Sequence, residues 1–248
     1  GYSQADCLKI GIASQVDGII LEADGSKEEQ HLINEALKGG IPVVTVMTDD
    51  TATGRISFVG LNSYQTGSAY TEQISGMLKA QGTTSVMFLS TSSSKTQETN
   101  LVYSQVKKEA QKKTGQSVDL TEYCVDSSAD FDTEEFVRDM FVNDENLPDV
   151  LVCMDEVVTE CVYQALIDYN QVGNVKVIGF YYSDMILDAI DKEIISSAIA
   201  LDMDEIGRYS VNALDEYLSL GHSNNYYSVN QHVITKENTK DYRTEDEK

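Results

Sequence analysis

Short apolar runs alternate along this chain with longer stretches whose apolar positions recur every three or four residues. The short runs read as buried parallel strands. They fall at Asp17–Leu21, Pro42–Met47, Ile56–Val59, Ser85–Leu89, Val118–Cys124, Val150–Met154, Val175–Phe180, Ile194–Ala200 and near Ser228–Ile234. The first strong one is Val16-Asp17-Gly18-Ile19-Ile20-Leu21. Helical patterns fill most intervals, and several carry start signals. Ser26-Lys27-Glu28-Glu29 has the form of a capping box, followed by an apolar face of Leu32, Ile33, Ala36 and Leu37. Gly39-Gly40 ends that helix and Pro42 opens the next strand. Asp132-Thr133-Glu134-Glu135 starts another, with Phe136, Val137, Met140 and Phe141 on one face. Asp155 caps a third, with Val158, Cys161, Val162 and Ala165 inward. Ile206, Tyr209, Ala213, Leu214 and Tyr217 mark a fourth.

Strand–helix alternation at this spacing predicts an α/β fold with parallel sheets and right-handed crossovers. Ligands of such sheets bind beyond the carboxyl ends of the strands. The loops after Leu21, Met47, Val59, Leu89, Cys124, Met154, Phe180 and Ala200 are therefore the ones to search. The segment from Lys236 to Lys248 is charged and patternless, and reads as surface or frayed chain.

Composition narrows the function. The 248 residues are 41% hydrophobic, enough for a globular core. Lys+Arg total 18 against Asp+Glu 41, a formal charge of −23. That argues against nucleic acid and anionic membrane surfaces as partners, because both need a basic patch. No apolar run approaches the ~18 residues of a membrane span, and no signal peptide opens the chain. Cys7, Cys124, Cys153 and Cys161 form no CxxC pair, and most sit in apolar stretches.

Candidate chemistry is sparse. His31, His222 and His232 are scattered and suggest no triad. GxSxG, GxGxxG and GxxxxGK(S/T) are all missing, so no cofactor is implied. Ser90-Thr91-Ser92-Ser93-Ser94 follows a strand and reads as a polar turn in preference to an anion cradle. Asp49 with Asp50, and Asp202 with Asp204 and Glu205, read as solvated loop or helix caps in preference to a calcium site.

The order of segments resembles the sugar-type periplasmic binding proteins, the ribose-binding type, whose fold the lactose-repressor effector core shares. The matching pieces are Val16–Leu21, Gly40–Val46, Phe58-Val59-Gly60-Leu61-Asn62-Ser63-Tyr64-Gln65-Thr66-Gly67, Ala129-Asp130-Phe131-Asp132, Asp155-Glu156, Val177-Ile178-Gly179-Phe180, Ile206-Gly207 and Val233-Ile234-Thr235-Lys236. The resemblance implies two Rossmann-like lobes of type I, joined by three crossings near Leu61/Asn62, Leu201/Asp202 and Asn230. The N-terminal lobe takes 1–61 with 202–230, the C-terminal lobe 62–201 with 231–242, and 243–248 form a tail. A ligand is then held between the lobes and buried by hinge closure.

The departures from the family pattern carry as much information. Its first strand, first helix and second strand have no counterpart, so the N-terminal lobe is incomplete, with an exposed sheet edge and apolar helix face. Either the chain is a fragment of a longer protein or a partner covers that surface. The fragment is favoured, since an open edge is a liability. The resemblance places ligand contacts at Glu22, Met47, Thr48, Asp49, Leu61, Ser92, Phe131, Met154, Asp155, Tyr181 and Leu201. At several of these the family's usual Asn, Asp, Arg or Gln is gone: Glu22, Met47, Met154, Tyr181 and Leu201 stand instead, and no Arg lies between Arg55 and Arg138. Planar polar groups suited to sugar hydroxyls are replaced by aromatics (Phe131, Tyr181, Tyr182), thioethers (Met47, Met154) and acids (Glu22, Asp49). That set suits a cationic or amphipathic ligand better than a pentose or hexose. An alternative stays open, in which Met154 and Leu201 are core and the lobes bind nothing small.

The sequence thus leads to an extracytoplasmic solute-binding protein, periplasmic or attached to the cell surface, that delivers a small molecule to an ABC-type membrane permease. The runner-up is a sensing domain coupled to a membrane receptor such as a histidine kinase. A repressor would need a helix-turn-helix that the chain lacks, and an enzyme would need a nucleophile, base or cofactor motif.

Overall fold

A computed structural model of the chain describes residues 2–92, 97–126, 132–142 and 147–243. Its elements in chain order are α1 (Gln4–Ala13), β1 (Ile19–Leu21), α2 (Lys27–Lys38), β2 (Val43–Val46), β3 (Ser57–Leu61), α3 (Ser63–Ser75), β4 (Thr84–Thr91), α4 (Gln97–Thr114), β5 (Val118–Val125), α5 (Asp132–Val142), β6 (Val150–Cys153), α6 (Glu156–Asp168), β7 (Lys176–Phe180), α7 (Asp184–Asp191), β8 (Ser197–Leu201), α8 (Met203–Leu220), β9 (Tyr226–Val229) and β10 (Gln231–Ile234). A 3₁₀ turn at Thr239–Tyr242 follows. The chain divides into two compact units, 1–62 with 202–230 and 63–201 with 231–248.

In the first unit the described strands form a parallel sheet in the order β1-β2-β3-β9. α1 and α2 pack over one core made of Leu8, Leu21, Leu32, Ile33, Ala36 and Val43. α1 escaped the sequence pattern because only Leu8 of its ten residues is buried. It is set by its cap: Ser3 Oγ accepts the Asp6 N–H, and the Ser3 N–H donates to the Asp6 carboxylate, both at 3.1 Å. β1 lies at the sheet edge with Ile20 41% exposed, and a groove of about 640 Å³ runs beside it, lined by Tyr2, Gln4, Cys7, Leu8 and Gly11 among others.

The expected capping box at Ser26 is only half formed. Ser26 Oγ accepts the Glu29 N–H at 3.1 Å, but the Ser26 N–H goes to Asp24 Oδ1 at 2.7 Å. Glu29, 1% exposed, turns inward and accepts from the Asp24 N–H and Gln4 Nε2, both at 2.9 Å. Burial raises its pKa above the usual 4.5, and the Asp24 and Asp50 charges push the same way, against the backbone hydrogen bonds. The folded protein therefore holds this proton more tightly than the unfolded chain. The contribution of Glu29 to stability is therefore fullest below pH 4.5 and is lost as pH rises through the raised folded value. Glu29→Gln is expected to flatten this part of the stability–pH curve, as urea midpoints measured from pH 4 to 7 would show.

The second unit holds a larger sheet, β10-β8-β7-β6-β4-β5 among the described strands, parallel except for β10. Both faces of the inner strands β6, β7 and β8 are buried, so they read as near-continuous apolar runs, whereas β5 at the edge is largely exposed. Leu89, Leu151 and Val177 pack with Phe141, Leu166 and Ile190 from the helices. The Asp155 cap forms as expected, with Asp155 Oδ1 accepting the Val158 N–H at 2.8 Å.

Two expectations are corrected. The last strand, foreseen as one run near Ser228–Ile234, is two. β9 pairs parallel with β3 in the first unit and β10 pairs antiparallel with β8 in the second. The break falls at Asn230, whose N–H and side-chain amide are both taken by Glu205 and so are lost to any ladder. The segment after Lys236 is not frayed through 243. Thr239 is fully buried and donates to Asp191, and Arg243 donates to Asp188 and Asp191 at 2.7 and 2.8 Å. The Arg243 bond lowers the Asp188 pKa, and the Thr239 and Arg243 bonds lower that of Asp191. Residues 244–248 lie outside the described ones.

Candidate functional site

The carboxyl ends of the strands in each unit hold the described residues among those singled out from the sequence. In the first unit, β1 runs into Glu22 and β2 into Met47-Thr48-Asp49. Parallel pairing sets the two ends side by side, and Thr48 Oγ1 donates to Glu22 Oε1 at 3.2 Å. Leu61 ends β3 and is half-buried. Asp49 is close in sequence but spent elsewhere. Its carboxylate accepts Arg55 Nε and Nη2 at 2.7 and 2.6 Å and Thr45 Oγ1 at 3.0 Å, and both charged side chains are 7% exposed. Arg55 also reaches the Asn225 carbonyl at 3.0 Å. This bidentate pair ties the β2–β3 loop to the approach to β9, and sequence reading missed it. An Asp and an Arg six positions apart give no signal until a turn brings them together.

In the second unit, Asp155 is similarly engaged. Besides capping α6, it accepts the Thr91 N–H at 2.9 Å and the Thr91 hydroxyl at 3.1 Å through Oδ2. The end of β4 is thereby fixed to the start of α6; Ser90 and Thr91, expected in a polar turn after the strand, are instead the buried last residues of β4. Ser92 is exposed, with its N–H on the Val125 carbonyl at 2.8 Å. Met154 and Leu201 are 8% and 2% exposed, so their side chains belong to the interior. Tyr181 is half-buried and stacks on Tyr182 with centroids 4.8 Å apart. Phe131 lies outside the described residues.

One backbone feature recurs in both units. Met47, just after β2, has φ +61°, and Tyr181, just after β7, has φ +76°. Each donates its N–H to the neighbouring strand, Met47 to Val59 O at 3.0 Å and Tyr181 to Ile199 O at 2.9 Å. A left-handed backbone on a bulky side chain costs on the order of 1–3 kcal/mol, and such strain gathers at ligand-contacting positions. Met47→Asn, which tolerates this conformation, is expected to stabilise the fold by about 1 kcal/mol, readable as a higher urea midpoint at unchanged slope.

The buried reactive groups offer no nucleophile. Burial pushes the Cys153 thiol and the Tyr70 phenol well up, and the nearby Asp155 charge adds to both. A thiol held protonated neither attacks nor binds metal. Among the described residues no group of three or more His, Cys, Asp or Glu is placed to hold a metal ion. No helix among them is long and apolar enough to cross a membrane.

The chain thus comprises two α/β units, each presenting strand-end residues, linked by three chain crossings. The chain belongs to the periplasmic binding protein family, whose domain description matches residues 2–223. Comparison with curated protein sequences gives no match. Among solved structures, the chain is similar to an ABC transporter solute-binding protein from Burkholderia graminis in complex with D-arabinose (TM-score 0.81, 20% identity, covering 97% of this chain and 83% of that one). It is similar also to AraP, an arabinose-binding protein from Geobacillus stearothermophilus (0.79, 18%, 97% and 84%). A third similar structure is the XylFII–LytSN complex (0.75, 20%, 93% and 81%). At these identities the likeness is one of fold.

Proposed function

We propose that this chain is an extracytoplasmic solute-binding protein that captures a small molecule with strand-end residues and delivers it to an ABC-type permease. Family membership supports the general role, and the observation that carries the site is the matched pair of strained residues, Met47 and Tyr181, at corresponding strand ends. Both are bulky residues held left-handed at strand ends, and strain of this kind clusters at functional positions.

The ligand has an apolar or aromatic face and a positive group. Asp49 and Asp155 are taken up by internal hydrogen bonds, and among the described candidates Glu22, Thr48, Met47 and Tyr181 are the groups that would meet the ligand. These lack the paired amides, carboxylates and guanidinium that orient sugar hydroxyls, whereas a tyrosine face and one carboxylate attract a cation. A second reading, a sensor passing its ligand state to a membrane kinase, is favoured by the likeness to XylFII, solved in complex with LytSN. Solute uptake by vesicles carrying the co-encoded permease, with and without this protein, tests delivery. Stimulated uptake supports transport. Stimulated phosphorylation of a co-encoded kinase, with uptake unchanged, supports sensing.

A further inference from the structure

The chain passes from one unit to the other at 62/63, 201/202 and 230/231. Glu205, in the first turn of α8, is 8% exposed, and its carboxylate is spent on these links. Oε2 accepts the Asn230 N–H at 2.8 Å. Oε1 accepts Asn230 Nδ2 at 3.0 Å, the Tyr209 hydroxyl at 3.2 Å and Arg208 Nη2 at 3.4 Å. The ring is closed from the other side, because the Asp202 N–H donates to the Asn230 carbonyl at 2.9 Å and Asp202 Oδ1 caps the Glu205 N–H at 2.9 Å. The links at 201/202 and 230/231 are thus bound together within the first unit.

A second bracket sits one residue on, within the second unit. Gln231 Nε2 donates to the Gln65 carbonyl at 2.7 Å and its Oε1 accepts the Thr66 hydroxyl. Gln231 also opens the β10–β8 ladder opposite Leu201. The peptide 230/231 is therefore gripped on each side by a different side-chain bracket, and the chain between the grips is a single peptide.

We propose that Glu205 is a positioning residue, a carboxylate latch that locks two of the three chain links as one piece and confines bending to the single-peptide steps. An ionised carboxylate offers acceptors only, and so takes all four donors at once. Glutamine at 205 would turn an NH2 toward at least one of them, leaving that donor unpaired. This inference rests on the solute-binding reading, since the latch serves a protein whose links bend when ligand is taken.

Hydrogen exchange of the full chain without ligand tests it. Peptides spanning 201–206 and 226–234 are compared with peptides from β2 and β6 in the natural protein, Glu205→Gln, Glu205→Ala and Arg208→Ala. Expected is a rise of about tenfold or more at Asn230 and Asp202 in both Glu205 variants, with β2 and β6 unchanged and Arg208→Ala near the natural rate. Unchanged exchange at the links would overturn the proposal, as would a rise shared equally by the β2 and β6 peptides, the mark of a merely structural role. Glu205→Gln is close to isosteric and keeps the test available should Glu205→Ala fail to fold. Because no ligand is used, failure here is distinguishable from failure of the solute-binding reading, which only ligand titration can produce.

Discussion

Arg55→Ala is expected to be among the most damaging single substitutions in the first unit, lowering stability by about 3–5 kcal/mol. The reason is the partner left behind. Asp49 is 7% exposed and receives both bonds of the Arg55 fork. Removing the guanidinium leaves a buried carboxylate with only Thr45 Oγ1 to satisfy it. Arg55→Lys is expected to recover part of the loss, because an ammonium supplies charge but not the planar fork. The double replacement Asp49→Asn with Arg55→Met is expected to cost much less than Arg55→Ala alone, since no unpaired charge is buried. Urea unfolding at pH 7 reads all three. If Arg55→Ala costs under 1 kcal/mol, the pair is solvated and the present account of the β2–β3 loop is wrong.

The second large effect is expected at Asp155. Its Oδ1 caps α6 and its Oδ2 holds the N–H and hydroxyl of Thr91, a residue 4% exposed. Loss of an N-cap costs about 0.5–2 kcal/mol, and an orphaned buried N–H adds about 1–3 kcal/mol. Asp155→Ala is expected to show a destabilisation on the order of 2–4 kcal/mol, with the end of β4 loosened next to Ser92. Asp155→Asn keeps an acceptor for the cap and is expected to lose roughly half as much. Amide exchange of the Thr91 and Val158 region separates the two contributions, because the cap protects Val158 and the second oxygen protects Thr91. Equal protection in Asp155→Ala and the natural chain would contradict the assignment.

What was readable in the sequence was set by local rules. Buried parallel strands are apolar on both faces, and runs such as Val150–Met154 and Val175–Phe180 announce themselves within a residue or two of β6 and β7. The Asp155 cap was legible because N-caps act over three residues. α1 was not, since a helix that buries one leucine has no apolar stripe to detect. The split at Asn230 was hidden because the residue that causes it, Glu205, is 25 positions away. The same distance in the fold explains the site residues. Sequence order could bring Glu22 and Thr48 to neighbouring strand ends, but it could not show that Asp49 turns to Arg55 or Asp155 to Thr91. Met47 and Tyr181 were legible as departures from the resembled family, whereas their left-handed backbones needed coordinates.

This chain is expected to bind a small solute through Tyr181 and its neighbours. Titration calorimetry tests it most directly, using the purified chain and its Tyr181→Ala variant against choline, phenethylamine and spermidine beside D-arabinose, D-xylose, D-glucose and D-galactose. Saturable binding of at least one amine is expected, weakened about tenfold or more in Tyr181→Ala through the lost cation–π and packing contact, with the sugars weaker than the amine. Binding of a sugar alone, with affinity untouched by Tyr181→Ala, or no binding by any of the seven solutes, would contradict it.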